Sequence, residues 1–141
     1  MYTPVSSRAA TAYRQVGVQS VIDNASPHML IQMLFDGLMQ SLNAARGALQ
    51  RGEIEEKGRQ LGKAGRIIEE GLKAGLNTAQ GGELADNLGA LYNYCSTRLM
   101  LANVRNDAAL IEEVVNLLAP VAQSWGQIGA GGAATAPGGG F

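Results

Sequence analysis

The sequence predicts an all-α protein: an antiparallel up-down four-helix bundle with an N-terminal arm and a disordered Gly-rich C-terminal tail. Leu, Ala, Gln, Glu and Met recur throughout, whereas alternating β-branched runs are nearly absent. Four segments repeat apolar residues at helical spacing, and the short connections between them make successive helices antiparallel. The predicted boundaries are 1–25 for the arm, 26–128 for the bundle and 129–141 for the tail.

The first helix is predicted to begin at Ser26 and Pro27. Ser is a preferred N-cap, and Pro fits the first helical position because its missing N–H would be unpaired there anyway. An apolar stripe then marks the core face of the helix, which we expect to end near Gly52. The stripe consists of Leu30, Leu34, Leu38, Leu42, Ala45 and Leu49.

The second helix is predicted over about residues 53–79, and its glycines make it weak. Each interior Gly costs up to about 1 kcal/mol relative to Ala. The sequence "QGGE" at 80–83 should end the helix. Its apolar stripe consists of Ile54, Leu61, Ala64, Ile68, Leu72 and Leu76, and its glycines are Gly58, Gly62, Gly65, Gly71 and Gly75.

The third helix is predicted over about residues 83–104, and Asp107 is a suitable N-cap for the fourth. Helix four repeats apolar residues with a heptad rhythm, in which Pro120 predicts a kink or a local break. The stripe of helix three consists of Leu84, Leu88, Leu91, Cys95 and Ala102, and that of helix four of Ile111, Val114, Leu118, Val121, Trp125 and Ile128.

Composition argues against several classes of function and predicts a cytoplasmic setting. Charged residues make up 16% of the 141 residues and the net charge is −1, so neither nucleic acid nor an anionic membrane is an expected partner. No apolar run approaches the roughly 20 residues that span a bilayer. The start "MYTPVSSRAAT" lacks a secretory pattern, and Cys95 has no partner for an internal disulfide.

No catalytic constellation emerges, so we predict neither enzyme activity nor a metal or cofactor. A di-metal bundle needs paired Glu-x-x-His motifs, and His28 is the one histidine of the sequence. We expect His28 to be solvated in the first turn of helix one and Cys95 to be a small buried thiol. "GRQLGK" at 58–63 is one residue too short for a phosphate-binding P-loop.

The remaining feature is more apolar surface than one core face requires. Two explanations are open: helices one and four each bury two faces, or part of their apolar surface receives another helix. Glycines spaced four apart on helix two would let another backbone approach closely, which favours a helix-binding module. The surplus residues are Met29, Met33, Phe35 and Met39 on helix one, and Leu110, Val115 and Leu117 on helix four.

Four separated motifs of the sequence are characteristic. "ASPHMLIQMLFDG" carries the pattern A-S-P-x-x-L-I-x-M-L-[YF]-D-G. The others are "AYRQVGV" in the arm, "AGRIIEEGLKAGLN" in helix two and "GGELADNLGALYNYCSTRLMLAN" in helix three. Together and in this order, the motifs resemble the FliS-type flagellin export chaperones. The signature residues, which we expect to be mainly structural, include Ser26, Pro27, Leu30, Leu34, Asp36 and Gly37.

The resemblance implies a cytoplasmic chaperone that binds the disordered C-terminal segment of flagellin and prevents its premature polymerisation. It also implies delivery of the client to the flagellar type III export apparatus through a component of the export gate. On that analogy Tyr13 of the arm covers a hydrophobic groove and gives way to the client. The other predicted flagellin-binding residues are Ile68, Leu72, Leu76, Leu91, Tyr92 and Leu99.

Asp36 is a charged residue among apolar neighbours. Two arrangements are open for its carboxylate: it pairs with an arm residue such as Arg14, or it is solvated.

For the protein as a whole, the competing interpretation is a structural bundle whose excess apolar surface forms a homo-oligomer, most simply a homodimer.

Overall fold

A computed structural model describes residues 25–76 and 78–130, and the fold that they form is all-helical. Helix α1 spans Pro27–Gln50, and helix α2 spans Ile54–Arg66 and continues as a π-helical segment over Ile67–Lys73. Helices α3 and α4 span Thr78–Arg105 and Ala108–Ala130. The predicted all-α four-helix bundle is therefore confirmed. The predictions for most of the arm and for most of the tail lie outside the described residues.

Both ends of α1 follow from local chemistry. The Ser26 Oγ accepts a hydrogen bond from the Met29 backbone N–H at 3.1 Å, and Pro27 is the first helical residue, as predicted. After Arg51, Gly52 adopts a φ of 75°, which costs Gly little. The Gly52 and Glu53 N–H groups then donate to the carbonyls of Leu49 and Ala48, which is the Schellman pattern that satisfies the last carbonyls of a helix.

The second helix differs from its prediction in its C-terminal third. The sequence predicted one continuous α-helix to about residue 79, whereas the turns from Ile67 to Lys73 are π-helical. The segment buries the adjacent residues Ile67 and Ile68 together, one turn before Leu72. Because glycines weaken this helix, packing of adjacent apolar side chains can override the ordinary α-helical turn.

The break predicted at 80–83 lies within the third helix, whereas the sequence predicted that it would end the second helix. Helical residues begin at Thr78, but Gly82 has φ 56° and ψ −132°, so the long run of α3 begins beyond that point. At the other end Asn106 has a φ of 53°, a conformation that Asn tolerates better than most residues. The Asp107 side chain then accepts the Ala109 N–H at 2.9 Å, which confirms Asp107 as a cap of α4.

Helix α4 continues through Pro120, so the local break considered for this position is absent. Proline removes one backbone hydrogen bond and costs a helix interior about 3 kcal/mol. Pro120 itself is exposed, while the neighbouring Leu118 is fully buried and Val121 packs against the core. Burial of these neighbours offsets the local cost and keeps the helix intact.

Helix α1 packs against both α2 and α4, and α3 packs against α4, the π-helical segment and α2. This central position accounts for the surplus apolar residues of α1 and α4. Phe35 is buried and Met33 and Met39 pack against the core, while Met29 is half exposed. On α4 Leu110 is buried, and Val115 and Leu117 pack against the core. Burial of two helix faces therefore accounts for these surplus residues except Met29.

Candidate functional site

A groove runs between α2 and α3 on the surface of the bundle, and we call it the α2/α3 groove. Its volume is about 350 Å³. The buried side chains of Leu61 and Leu99 line it, Met100 contributes an exposed thioether, and Asn103 lines it as well. Charged and polar residues complete the lining: Arg66, Glu69, Glu70 and Ser96. The groove thus combines an apolar surface with a polar rim.

Two glycines on α2 keep the groove open. A Cβ added at Gly62 or Gly65 would meet no atom of the described residues within 4 Å. On the facing helix, Met100 is 70% exposed and Val104, one turn further, is 81% exposed. Met100 lines the groove and Val104 lies one turn beyond it, so exposed apolar surface continues beside the groove, as is typical of interaction sites.

Polar pairs connect the two helices at both ends of the groove. Near one end the buried Lys57 Nζ donates to the Asn103 backbone carbonyl at 2.8 Å and to the Asn103 Oδ1 at 2.6 Å. Near the other end the Ser96 hydroxyl donates to Glu69 at 2.8 Å, and Lys73 donates to the same carboxylate at 3.0 Å. The bond from Ser96, followed by that from Lys73, lowers the pKa of Glu69. These pairs hold α2 and α3 at a fixed separation.

A second, smaller apolar cavity lies where the π-helical segment meets α1, α3 and α4, and we call it the socket. Its volume is about 90 Å³. Its walls include Phe35, Leu72, Leu76, Leu88, Tyr92 and Trp125. Burial raises the pKa of the Tyr92 hydroxyl to about 12, as expected for a phenol in apolar surroundings.

His28 stacks on Trp125 beside the socket, so the prediction that His28 is solvated is wrong. The two ring centroids lie 4.5 Å apart with an interplanar angle of 7°. The Trp125 indole N–H donates to the His28 backbone carbonyl at 3.1 Å. The His28 Nε2 is buried and has no hydrogen-bond partner among the described residues. Sequence reasoning missed this pair because α1 and α4 meet only in the folded bundle.

The predicted flagellin-binding residues fall into three groups, apart from Tyr13, which lies outside the described residues. Leu72, Leu76 and Tyr92 meet in the socket, and Leu99 lines the α2/α3 groove. Ile68 is a fully buried core residue. Leu91 is half-buried, packs against the core and lines neither cavity. The structure therefore divides the predicted site between two places.

The signature residues of α1 serve mainly to build the helix. Leu30 and Leu34 belong to the core, and Gly37 is half-buried within the helix. Asp36 is exposed and accepts a hydrogen bond from the Gln32 side chain at 3.3 Å. Of the two positions considered for Asp36, the structure shows a solvated carboxylate with a local partner, while Arg14 lies outside the described residues.

The residues that sequence reasoning missed at the groove are Gly65, Met100, Lys57 and Asn103. A signal existed for Met100, because Met100 and Val104 are spaced four apart and lie off the predicted core stripe of α3. No local signal marks Lys57, since a lysine on a predicted helix is normally assigned to solvent. Its burial depends on α2 and α3 lying side by side.

The described residues contain no group of three or more potential metal ligands among their His, Cys, Asp and Glu side chains. Cys95 is fully buried, and burial raises the pKa of its thiol to about 11. Such a thiol is protonated near neutral pH, when it is a poor nucleophile. None of the helices within residues 25–76 and 78–130 is long and apolar enough to cross a membrane.

Comparison with known proteins identifies the family to which this chain is similar. A family model described as "Flagellar protein FliS" matches residues 9–132. The "Flagellar secretion chaperone FliS" of Salmonella typhimurium is 51% identical over 128 residues, which are 91% of this chain and 93% of that protein. "Flagellar secretion chaperone FliSB" of Pseudomonas aeruginosa is 45% identical over 118 residues, 84% of this chain and 93% of that protein.

A relative from Escherichia coli, also named "Flagellar secretion chaperone FliS", is 41% identical over 120 residues, covering 85% of this chain and 88% of that protein. The family model covers all four helices and extends into the predicted arm. The chain belongs to the FliS family of flagellar secretion chaperones.

Proposed function

We propose that this protein binds the C-terminal segment of flagellin in the cytoplasm, keeps it from polymerising and delivers it to the flagellar export gate. The observation that carries this proposal is the α2/α3 groove, an open apolar surface beside two exposed apolar side chains in a member of a secretion chaperone family. An amphipathic helix buries its apolar face in a groove of this kind.

The two glycines suit the groove to a helical client. Without side chains at Gly62 and Gly65, a client backbone or a bulky apolar client residue can approach α2 closely. Met100 adds a flexible and polarizable side chain that adapts to different partners. The groove therefore favours contact by shape and apolar area over contact by fixed charges.

Binding alone is sufficient for chaperone action of this kind. A disordered apolar segment self-associates when it is free, and a chaperone that sequesters it lowers its free concentration by mass action. The client loses conformational entropy when it becomes ordered, so the net affinity stays moderate for the area buried and the client can be released at the export gate.

The socket is the proposed second contact of the same client. It brings together Leu72, Leu76 and Tyr92, three of the residues that the sequence nominated. Tyr13 is proposed to cover apolar surface on the bundle until the client displaces it. The competing proposal, a homodimer, would place a second copy of this chain over the exposed Met100 and Val104.

The test is calorimetric titration of the full chain with a synthetic peptide of the flagellin C-terminal segment, followed by circular dichroism. We expect saturable one-to-one binding at micromolar concentrations and more helix in the mixture than in the separate components. A peptide of the same composition in scrambled order is the control. Absence of binding would refute the proposed client. A chain that sediments as a dimer and binds no peptide would support the homodimer instead.

A further inference from the structure

We propose that Asn103 determines specificity in the α2/α3 groove: Lys57 orients its side chain so that the amide nitrogen Nδ2 donates a hydrogen bond to a backbone carbonyl of the bound segment. The inference rests on the proposed function, because it concerns the same client and the same groove. It assigns a polar contact to a surface that otherwise selects by shape and apolar area.

The orientation of the Asn103 side chain follows from the chemistry of its neighbour. An asparagine amide has an oxygen that accepts hydrogen bonds and a nitrogen that donates them, while a lysine ammonium only donates. The branch that lies 2.6 Å from Lys57 Nζ must therefore be the oxygen Oδ1. The amide nitrogen occupies the other branch, and the usual ambiguity between the two orientations is resolved.

Lys57 is held firmly enough to fix this orientation. Its side chain is 3% exposed, and its Nζ also donates to the Asn103 backbone carbonyl at 2.8 Å. That carbonyl belongs to the last turn of α3, where carbonyls lack partners within the helix and the helix dipole favours a cation. Two bonds to the same residue leave the Asn103 side chain little freedom to rotate.

Asn103 itself lies where a client in the groove can reach it. Asn103 lines the α2/α3 groove and is half-buried, whereas Lys57 does not line the groove. No hydrogen bond to Nδ2 exists among the described residues, and Nδ2 is not among their buried unpartnered atoms. Nδ2 is therefore a donor without a partner among the described residues, on a side chain that lines the groove together with Leu99 and Met100.

A helical client supplies the matching acceptor. The last four carbonyls of any α-helix have no partner within that helix, and they are costly to bury unpaired. A client helix that ends beside Asn103 can place one of these carbonyls on Nδ2. The contact would fix the position at which the helix ends and therefore the register of the whole segment in the groove.

The decisive variant is Asn103→Asp, which preserves shape and replaces the donor with an acceptor. Lys57 then faces a carboxylate oxygen, so the buried cation keeps its partner and the fold is retained. We expect the full-length variant to bind the flagellin C-terminal peptide about tenfold more weakly than the wild-type chain, since one hydrogen bond is lost and two acceptors face each other. Asn116→Asp, an identical change at an exposed position of α4, should leave the affinity unchanged.

The outcomes separate this inference from the proposed function. If the wild-type chain binds the peptide and Asn103→Asp binds equally well, the role of Asn103 is refuted and the proposed function stands. If the wild-type chain binds no peptide, both are refuted. An equal loss in the Asn116 variant would show a general effect of negative charge and would also overturn the role of Asn103.

The role of Lys57 has its own readout, the side-chain amide resonances of Asn103 in a nitrogen–proton correlation spectrum. We expect these resonances to shift when peptide is added to the wild-type chain. They should shift much less in the Lys57→Met variant, because the Asn103 side chain can rotate there. Resonances that stay unchanged in the wild-type complex would refute the hydrogen bond. Equal shifts in both chains would refute the orienting role of Lys57.

Discussion

The two sides of helix α3 differ in how they meet their neighbours. Toward α4, the Tyr94 hydroxyl donates to Glu113, and Arg98 Nε donates to the same carboxylate at 2.8 Å. The Arg98 guanidinium also lies 5.5 Å from the centroid of the Tyr94 ring. Toward α2, polar pairs occur near the ends of the contact and leave the α2/α3 groove between them. One side is a closed seam and the other is an open groove.

The difference lies in side-chain volume and in the position of polar pairs. Both sides share the same core, to which Cys95, Leu99 and Ala102 contribute. On the closed side Tyr94 and Arg98 both contact Glu113, and the bond from Tyr94, followed by that from Arg98, lowers the pKa of Glu113. On the open side α2 offers Gly62 and Gly65. Helices α2 and α3 are joined by polar pairs and leave a groove between them. A groove of this kind is suited to receive a third helix.

The largest expected effect comes from filling the groove. Gly62→Leu combined with Gly65→Leu should weaken binding of the flagellin peptide at least tenfold, because the new side chains occupy the client's place. The same change should raise the free energy of unfolding by about 1 to 2 kcal/mol, since it removes two glycines from a helix where an added Cβ meets no described atom within 4 Å. Calorimetry and urea denaturation measure the two effects.

The control for this variant is Asn116→Leu, which adds an exposed Leu to α4. It should leave peptide affinity unchanged. Gain of stability together with loss of binding would distinguish a blocked groove from a damaged fold. If the glycine variant binds the peptide as tightly as the wild-type chain, the client does not use this groove.

A smaller effect concerns the shared core and alkaline pH. Burial raises the pKa of Cys95 from 9.0 to about 11 and that of Tyr92 from 10.0 to about 12. The folded state therefore binds both protons more tightly than the unfolded state. The resulting stability is complete below pH 9 and is lost as the pH rises through the window from 9 to 12.

Urea denaturation at pH 8 and pH 10 measures this loss, which we expect to be about 1 kcal/mol. Cys95→Ala and Tyr92→Phe should each reduce the dependence on pH, because each removes one titrating group. A stability that is the same at both values of pH, or a dependence that survives in both variants, would contradict the account of the core.

The smallest expected effect lies in the closed seam. Glu113→Gln removes the charge that Tyr94 and Arg98 contact, but these groups are partly exposed and exposed ion pairs contribute little. We expect a melting temperature lowered by no more than a few degrees and an unchanged affinity for the flagellin peptide. The lowered pKa of Glu113 also means that the seam's contribution is present at neutral pH and declines on acidification. A marked loss of peptide binding would show that the seam belongs to the client site.

The helices were predictable because their signals are local. Ser26, Pro27 and Gly52 mark the ends of α1 through capping chemistry, and the apolar stripes identify the core face. The π-helical turns from Ile67 to Lys73 were not predictable, since they arise from packing against other helices. The continuity of α4 through Pro120 was not predictable either, because it depends on burial of the neighbouring residues.

The candidate site was predicted only in part, for a related reason. Apolar residues such as Leu72, Tyr92 and Leu99 were chosen for their hydrophobicity, and that property does not distinguish a core residue from a groove residue. The features that open the groove are empty space over Gly62 and Gly65 and a buried Lys57, and both depend on how α2 lies beside α3. A sequence shows which residues are apolar before it shows which of them a partner can reach.

The most direct test of the central claim is to map the client on the full-length chain by nuclear magnetic resonance. Backbone amide shifts are compared before and after addition of the flagellin C-terminal peptide. The account predicts the largest changes around Gly62, Gly65, Met100 and Asn103, with little change at the seam. Changes centred on Tyr94 and Glu113, with the groove unaffected, would contradict it.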